Sequence, residues 1–344
     1  MNEDKLPTIK EIAKRLNVSV STVSRALHDH PGIGLRTKTR VQALALELDY
    51  QPNQAAISFK QRRTFTIGVV IPNLKEEFFS EAINGIEEIA TQFKYSVLIS
   101  QSRDNIEREM QIVATMRNNR VDGIIASLGA NTTSYEHFTT LKKYGIPVVF
   151  FDRVPSLPEF NKVYSNMNSG TREAIEFLIE KGHRRIGVLN GPEKMRSSKE
   201  RTETYKQVLI KKRLKIDLGL VTSTDLSREG THQAMQLLLS QRPRPTAILA
   251  INDYIALDAM QYARQQKLKV GKDICFVSYA NLPITSYLEH PPMASVEQYP
   301  YQQGTKAAEI LIQLLSKPES EKPAEPETFQ NVVINGQLII HTKR

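Results

Sequence analysis

A twofold series of alternating strand-like and helix-like segments constrains the fold of this 344-residue chain more than any other feature. From Thr64 onward, β-rich runs that read as buried on both faces alternate with stretches of helical periodicity, and the series then repeats. The strand-like runs are TFTIGVVI, YSVLIS, GIIAS and PVVFF, then RRIGVLN, LVTST, AILAI and ICFVSY. Helices are expected at about 78–93, 105–119 and 133–144, and at about 168–181, 197–213, 227–240 and 254–267. Such alternation predicts two α/β lobes with parallel sheets covered by helices.

A last strand–helix–strand unit follows the second series, and it can return the chain to both lobes. It consists of ASVEQ, a helix at about 301–316, and NVVINGQLII, with KPESEKPAEPET expected as a crossing segment or linker. We predict lobe 1 from about 64–163 and 294–324, and lobe 2 from about 164–293 and 325–344. Two such lobes leave a cleft at the carboxyl ends of their strands, where open α/β folds bind ligands.

A second kind of pattern occupies the N-terminal stretch TIKEIAKRLNVSVSTVSRAL, residues 8–27. Thr8 with Glu11 fits a capping box, Asn17 suits a tight turn, and Ser19 can cap a second helix. On that helix Ser21 and Arg25 fall opposite the apolar stripe, with Thr22 and Ser24 on its flanks. Two short helices of this form are typical of a DNA-reading helix-turn-helix, and an ordinary helical hairpin is the alternative.

A third helix, expected from about Arg36 to Asp49, completes a small all-α domain over residues 1–50. Residues 51–63 then contain a short predicted helix from Gln54 to Lys60 and form a hinge or linker. A helix of that length is marginal alone in water, so it needs a partner to fold. Its aromatic residue, Phe59, either docks on protein or acts as a wedge for DNA.

Charge and composition favour a polyanionic partner for the N-terminal part. The formal net charge is +9, and residues 1–63 contain 11 Lys and Arg against 6 Asp and Glu. The single cysteine, Cys275, excludes an internal disulfide framework, and the seven histidines show no metal-ligand spacing. The start MNEDKLPTIK lacks the apolar core of a signal peptide, and no run of 18 apolar residues occurs, so a cytoplasmic location is expected.

Motifs of nucleotide-binding proteins and enzymes are missing from the sequence. No GxGxxG follows the first strand, and GxxxxGK[ST], GxSxG, HExxH and CxxC do not occur. Scattered Asp and His residues form no spaced catalytic set. We therefore expect neither an enzyme nor a cofactor or metal.

Along its whole length the chain resembles the lactose/galactose-repressor (LacI/GalR) family of bacterial transcription regulators. The resemblance is carried by TIKEIAKRLNVSVSTVSRAL, YQPN at 50–53, TIGVVIPN at 66–73, FF at 78–79, FDR at 151–153, GHRRIGVLNGP at 182–192, SSKERTETY at 197–205 and IND at 251–253. It implies a helix-turn-helix headpiece followed by an effector domain of two Rossmann-like subdomains, similar to periplasmic binding proteins.

The resemblance also implies roles for individual residues in DNA binding. Positions matching Val20, Ser21 and Arg25 touch base edges, and those matching Thr8, Ser19, Thr22 and Ser24 favour the DNA backbone. Arg25 suits a bidentate contact with guanine, whereas Val20 suits either a thymine methyl group or core packing. In the hinge the expected DNA contacts are Asn53, Ala56 and Phe59, with Phe59 in place of the family's wedge leucine.

Effector contacts carry over less completely. Arg201 matches the family's arginine that clamps an effector oxygen. For Asp152 and Asp253, acceptance of hydrogen bonds from backbone amides is an equal alternative to contact with the effector. Weaker candidates around the cleft are Phe78, Asn190, Ser197 and Gln298. Two departures stand out: Glu76–Glu77 replace asparagine-proline, and Ser278–Tyr279–Ala280 lacks the family's frequent sugar-binding aspartate. A sugar effector does not follow from the family alone.

These features together predict a homodimeric DNA-binding transcriptional regulator, in particular a repressor, that binds a palindromic operator and senses a small molecule, such as a sugar or related metabolite, between its lobes. Its expected location is the cytoplasm, at the nucleoid, with no membrane partner. After the last predicted strand only HTKR remains, which favours a dimer over a tetramer. The competing hypotheses are a periplasmic-type carbohydrate-binding protein and a hydrolase.

Overall fold

The computed structural model describes residues 7–51, 63–316 and 328–341. By its contacts the chain divides into two compact units, residues 1–64 and 65–344. The predicted hinge helix and most of the predicted KPESEKPAEPET linker lie outside the described residues. Among the described helices, none has the length and apolar content needed to cross a membrane.

The N-terminal unit contains three helices, α1 (Ile9–Leu16), α2 (Val20–Leu27) and α3 (Leu35–Glu47). Both predicted caps are confirmed: Thr8 Oγ1 accepts a hydrogen bond from the amide of Glu11 at 3.3 Å, and Ser19 Oγ accepts from the amide of Thr22 at 3.0 Å. Asn17 adopts the left-handed conformation (φ 54°) of a helix end. The reciprocal half of the predicted capping box does not form, because the Glu11 carboxylate binds Arg15 at 2.7 Å.

These helices close a small core of their own. Ile12, Val23 and Val41, one from each helix, are fully buried. The apolar faces that the periodicity predicted are therefore used against one another, and the opposite face of α2 is left for another partner.

Lobe 1 of the second unit is built on a six-stranded parallel sheet. Its strands in spatial order are β11 (Asn331–Asn335), β5 (Asn161–Asn166), β4 (Val148–Phe151), β3 (Gly123–Ala126), β1 (Thr66–Ile71) and β2 (Ser96–Gln101). The covering helices are α4 (Glu77–Gln92), α5 (Ile106–Asn118), α6 (Glu136–Thr139, continued by a 3₁₀ turn over Thr140–Tyr144) and α11 (Pro300–Ser316). Apolar clusters cover both faces of the sheet, as the strand composition predicted.

Lobe 2 repeats this plan with one antiparallel edge strand. Its sheet runs β12 (Gln337–Ile340), β10 (Ala294–Glu297), β9 (Cys275–Tyr279), β8 (Ala247–Ala250), β6 (Ile186–Asn190) and β7 (Val221–Ser223), with β12 antiparallel to β10. Its helices are α7 (Met167–Glu180), α8 (Arg196–Lys211), α9 (Arg228–Ser240) and α10 (Asp253–Gln265). Short 3₁₀ turns lie at Leu218–Leu220 and Pro283–Tyr287.

The predicted lobe boundaries were wrong at three places. NVVINGQLII is not one strand: β11 pairs with β5 of lobe 1, and β12 pairs with β10 of lobe 2. Gly336 separates them, and a Cβ there would lie 2.9 Å from the carbonyl oxygen of Glu297, which favours glycine at this crossing. Accordingly, 331–335 belongs to lobe 1, whereas 294–297, assigned to lobe 1 from the sequence, belongs to lobe 2.

The third correction concerns β5, residues 161–166, which has no counterpart among the predicted strands. Its sequence NKVYSN begins and ends with asparagine and lacks an apolar run. It forms because it fills the space between β4 and β11. Residues 164–166 therefore belong to lobe 1 rather than to lobe 2.

Candidate functional site

The first candidate surface is the exposed face of α2. Ser21 and Arg25 are exposed there, as the helical projection predicted, and Arg25 forms no ion pair with any residue of the described chain. Val20 is 41% exposed, which favours surface contact over core packing for that residue. Thr22 and Ser24 are partly buried at the flanks. The face presents hydroxyl groups, a methyl surface and the Arg25 guanidinium, the groups that read base edges and phosphates.

The hydroxyl groups at the start of α2 are tied to one another. Ser19 Oγ lies 2.7 Å from Ser21 Oγ and 2.8 Å from Thr22 Oγ1. The start of the helix is thereby held in one geometry before any partner binds. The predicted hinge contacts Asn53, Ala56 and Phe59 lie outside the described residues and remain predictions.

The second candidate site is a cavity of about 340 Å³ between lobes 1 and 2. Its walls come from segments that follow the strands of both sheets, at the place predicted for a ligand. Five of the seven predicted effector residues line it: Phe78, Asp152, Ser197, Arg201 and Gln298. Asn190 and Asp253 do not. Its volume lies within the roughly 300–1,000 Å³ of small-molecule sites.

Arg201 is the most unusual group in the cavity wall. Only 2% of its surface is exposed, and its guanidinium lies 4.5 Å from the centre of the Tyr279 ring. One terminal nitrogen donates to Asn190 Oδ1 at 2.9 Å and the other to the sulfur of Met167 at 3.7 Å, while Nε has no partner. Within the described residues no carboxylate forms an ion pair with Arg201. A buried cation without a counterion is costly, so this arginine is suited to binding an acceptor.

Asn190 acts on the cavity indirectly. Its Oδ1 accepts from Arg201, and its Nδ2 donates to Thr202 Oγ1 at 2.9 Å. The residue is 2% exposed and lies behind the cavity wall. It orients the guanidinium, which is a positioning role.

The lobe 1 wall carries Asp152 and Arg153, which follow β4. Arg153 Nη1 donates to Asp104 Oδ1 at 2.7 Å, and its guanidinium lies 3.9 Å from the carboxylates of both Asp152 and Glu76. Ser127 Oγ donates to Asp152 Oδ2 at 3.3 Å. Burial raises the pKa of Asp152 to about 6; Arg153 opposes this shift and Glu76 adds to it. Burial likewise raises the pKa of Glu76.

Asp253 takes the alternative role considered for it from the sequence. It is fully buried, and its Oδ1 accepts from Ser278 Oγ and, at 2.8 Å, from Ser295 Oγ. Its Oδ2 accepts from the amide of Leu282 at 2.6 Å. Leu282 lines the cavity, so Asp253 fixes the chain after β9 without facing a ligand.

Two further acids that the sequence did not single out shape the cavity from behind. Glu109 is fully buried and accepts from the Gly129 amide at 2.9 Å, from Thr132 Oγ1 at 3.0 Å and from His137 Nε2 at 2.9 Å. Asp104 accepts from the amide of Ala130 at 2.6 Å. Gly129, Ala130 and Thr132 line the cavity, so these acids position that segment. Glu109 lies in the first turn of α5, where acids are common because they interact favourably with the helix dipole, so its sequence position carries no signal of this role.

Comparison with known proteins identifies the family. Residues 8–53 match the model of bacterial regulatory proteins of the lacI family, and residues 64–342 match that of periplasmic binding proteins and the sugar-binding domain of the LacI family. The chain belongs to the LacI family. The predicted family, the helix-turn-helix domain and the two-subdomain α/β effector domain are confirmed. This LacI-family chain is a DNA-binding transcriptional regulator, as its N-terminal helices predicted.

Relatives and solved structures cover nearly the whole chain. Catabolite control protein A of Priestia megaterium is 30% identical over 311 residues, 90% of this chain and 93% of the relative. The transcriptional repressor CytR of Escherichia coli K12 is 30% identical over 305 residues, 89% of each chain. A structure of the Lac repressor dimer bound to operator and the anti-inducer ONPF superimposes with a TM-score of 0.82 at 25% identity, covering 97% of this chain and 98% of that one.

Proposed function

We propose that this LacI-family regulator binds a palindromic operator as a homodimer and that a small molecule in the interlobe cavity controls its operator affinity. The observation that carries the proposal is Arg201, a buried guanidinium that has no carboxylate partner among the described residues and lies in the wall of a ligand-sized cavity. Two structural neighbours support it: the Lac repressor is a dimer bound to operator and an anti-inducer, and the regulator CelR forms a complex with cellobiose.

For DNA recognition, α2 enters the major groove with Arg25 placed for the O6 and N7 acceptors of guanine. Val20 offers its methyl groups to thymine, and Ser21 offers a hydroxyl to a base edge. Thr8, Ser19, Thr22 and Ser24 contact the DNA backbone. A two-fold dimer places two such helices on the half-sites of a palindrome.

Substitution of Arg25 tests this arrangement. Arg25→Ala is expected to cost roughly 1–3 kcal/mol on the cognate operator and to relax the preference at one base pair of each half-site. Arg40→Ala removes the same charge from an exposed position on α3 and serves as the control. A half-site library in which Arg25→Ala weakens all sequences equally would assign Arg25 to phosphate contact instead.

For regulation, a ligand that binds one arrangement of the two lobes better than the other shifts the population between DNA-competent and incompetent states. Arg201→Met is expected to abolish the effect of the effector on operator affinity while operator binding itself persists. Lys211→Met, at the exposed C-terminal end of α8 and not among the cavity-lining residues, is the matched control. An undiminished response in Arg201→Met would contradict the proposal.

The protein acts in the cytoplasm at the nucleoid, where its operator lies. In this scheme the small molecule is bound and released unchanged, which is the first point to test. Product analysis after incubation with any cavity ligand tests the first point. Turnover of that ligand would favour the hydrolase alternative.

A further inference from the structure

The two walls of the interlobe cavity carry opposite, unbalanced charges. On lobe 1, the carboxylates of Glu76, Asp104 and Asp152 surround the single guanidinium of Arg153. Only Asp104 is within hydrogen-bond distance of it, at 2.7 Å, while the other two lie at 3.9 Å. Two carboxylates on this wall therefore lack a hydrogen-bonded cation.

Within the described residues, the one ion pair of the Glu76 carboxylate is the 3.9 Å contact with Arg153. Glu76 precedes α4, yet its side chain caps no amide of that helix, and the acid in the first turn is its neighbour Glu77. Its side chain is 29% exposed and lines the cavity. The Glu76 carboxylate is thus available to a ligand, as is that of Asp152 with its single 3.3 Å side-chain hydrogen bond.

Lobe 2 presents the opposite charge. Arg201 is 2% exposed with an unpartnered Nε, and Lys194 and Lys199 also line this wall. Arg196 also lines this wall, but its charge is already paired, because its Nε donates to Glu200 at 2.6 Å. Ala280, at the end of β9, contributes no charge to the cavity. Within the described part of the chain, therefore, no carboxylate forms an ion pair with Arg201.

We propose that the effector is a bipolar molecule, with a positively charged amine facing Glu76 and Asp152 and an acidic group, carboxylate or phosphate, facing Arg201. The inference rests on the proposed use of the cavity as the effector site. A ligand that displaces water from both walls leaves unpaired charges unless it supplies a counterion to each. A neutral ligand supplies hydrogen bonds but no counterion. Burial raises the pKa of both Asp152 and Glu76, and Arg153 only partly opposes these shifts.

Matched probes on two scaffolds test the charge pattern with the full-length chain. The hexose set is glucosamine 6-phosphate, glucose 6-phosphate, glucosamine, N-acetylglucosamine 6-phosphate and glucose. The linear set is 5-aminopentanoate, pentanoate and pentylamine. We expect at least one bipolar probe to bind about tenfold more tightly by calorimetry than both of its singly charged counterparts, because it adds one desolvated ion pair. Equal or tighter binding by a neutral or singly charged member, or no binding by either bipolar probe, overturns the inference.

A substitution on lobe 1 separates charge recognition from general binding. Glu76→Gln is expected to reduce the roughly tenfold preference for the amine, and Glu76→Gln combined with Asp152→Asn to reduce it to about one. Glu87→Gln removes the same charge from an exposed site on α4 and should keep the preference. An amine preference that is undiminished in the double variant overturns the inference. Operator binding by the probe-free protein reports separately on the proposed function, so the two can fail independently.

Discussion

Asp152 in lobe 1 and Asp253 in lobe 2 are acids in similar sequence settings with different fates. Each comes shortly after a short buried strand, β4 or β8, and each belongs to a motif shared with the LacI family. Asp253 is fully buried and accepts three hydrogen bonds, from Ser278, Ser295 and the Leu282 amide. Asp152 lines the cavity and accepts a 3.3 Å bond from the Ser127 hydroxyl and a bond from the backbone amide of Arg153.

The two acids differ in the number of hydrogen-bond donors around their carboxylates. Three donors oppose the desolvation of the Asp253 carboxylate and tie the loop after β9 to it, although burial still raises the pKa of this acid. Asp152 has few donors and an arginine 3.9 Å away, so its charge is only partly compensated. An acid with few donors that faces a cavity is a candidate for binding, whereas an acid that holds three donors and does not line the cavity has a structural role.

The largest effect is expected at Asp253. Asp253→Ala orphans three donors, each worth about 1–3 kcal/mol when left buried, and should destabilise the effector domain by at least about 3 kcal/mol in urea unfolding. Asp258→Ala on the same helix loses only an exposed pair with Arg228 and should cost less than about 1 kcal/mol. Equal losses of stability in Asp253→Ala and Asp258→Ala would contradict the structural role assigned to Asp253.

A smaller effect of opposite sign is expected at Asp152. Asp152→Asn should raise the unfolding free energy at pH 7 by about 1–2 kcal/mol, because the ionised carboxylate is under-solvated in the folded state. Unfolding by urea, followed by circular dichroism, measures the change. A loss of stability would show that Asp152 is as well satisfied as Asp253.

The stability gained by Asp152→Asn should depend on pH, because the pKa of Asp152 is raised in the folded protein. The folded pKa of Asp152 is raised from 3.8 to about 6, so its contribution to stability is fully present below pH 4 and is lost as the pH rises through 6. The advantage of Asp152→Asn should therefore be near zero at pH 4, appear between pH 4 and 6, and stay constant above pH 7. An advantage that instead shrinks with rising pH would mean that the pKa is lowered.

The smallest effects are expected at the serine donors. Ser278→Ala should cost about 1.5 kcal/mol, since a hydrogen bond to a buried carboxylate is lost. Ser127→Ala removes two long bonds, the 3.3 Å bond to Asp152 and the 3.4 Å bond from the Arg153 amide, and should cost about 0.5 kcal/mol. A larger loss at Ser127 than at Ser278 would reverse the comparison of the two lobes.

Local patterns predicted the elements, and distant contacts decided their partners. The caps Thr8 and Ser19 and the alternation of strands and helices depend on neighbours in sequence, so the sequence predicted them. The fate of Asp253 depends on Ser278, Leu282 and Ser295, which lie 25 to 42 residues away. The position of Arg201 in the cavity was predicted through the family motif, but only the three-dimensional structure shows that no described carboxylate forms an ion pair with it.

Sheet membership shows the same limit. NVVINGQLII is strand-like on both sides of Asn335–Gly336, and no local signal says that its two halves join different sheets. β5 lacks strand character and is nevertheless a strand, because two neighbours flank it. Edge assignment is a property of the assembled sheet rather than of the segment.

Because the chain crosses between the lobes at Gly336, both sheets receive their last strands late in synthesis. β11 and β12 are edge strands of the two sheets and are among the last described residues of the chain. During synthesis neither lobe can finish its sheet until residues 331–340 have left the ribosome, and both then finish almost together. The DNA-reading helices emerge first and have a core of their own. A nascent chain can thus hold a folded DNA-reading module before it has a completed sensor.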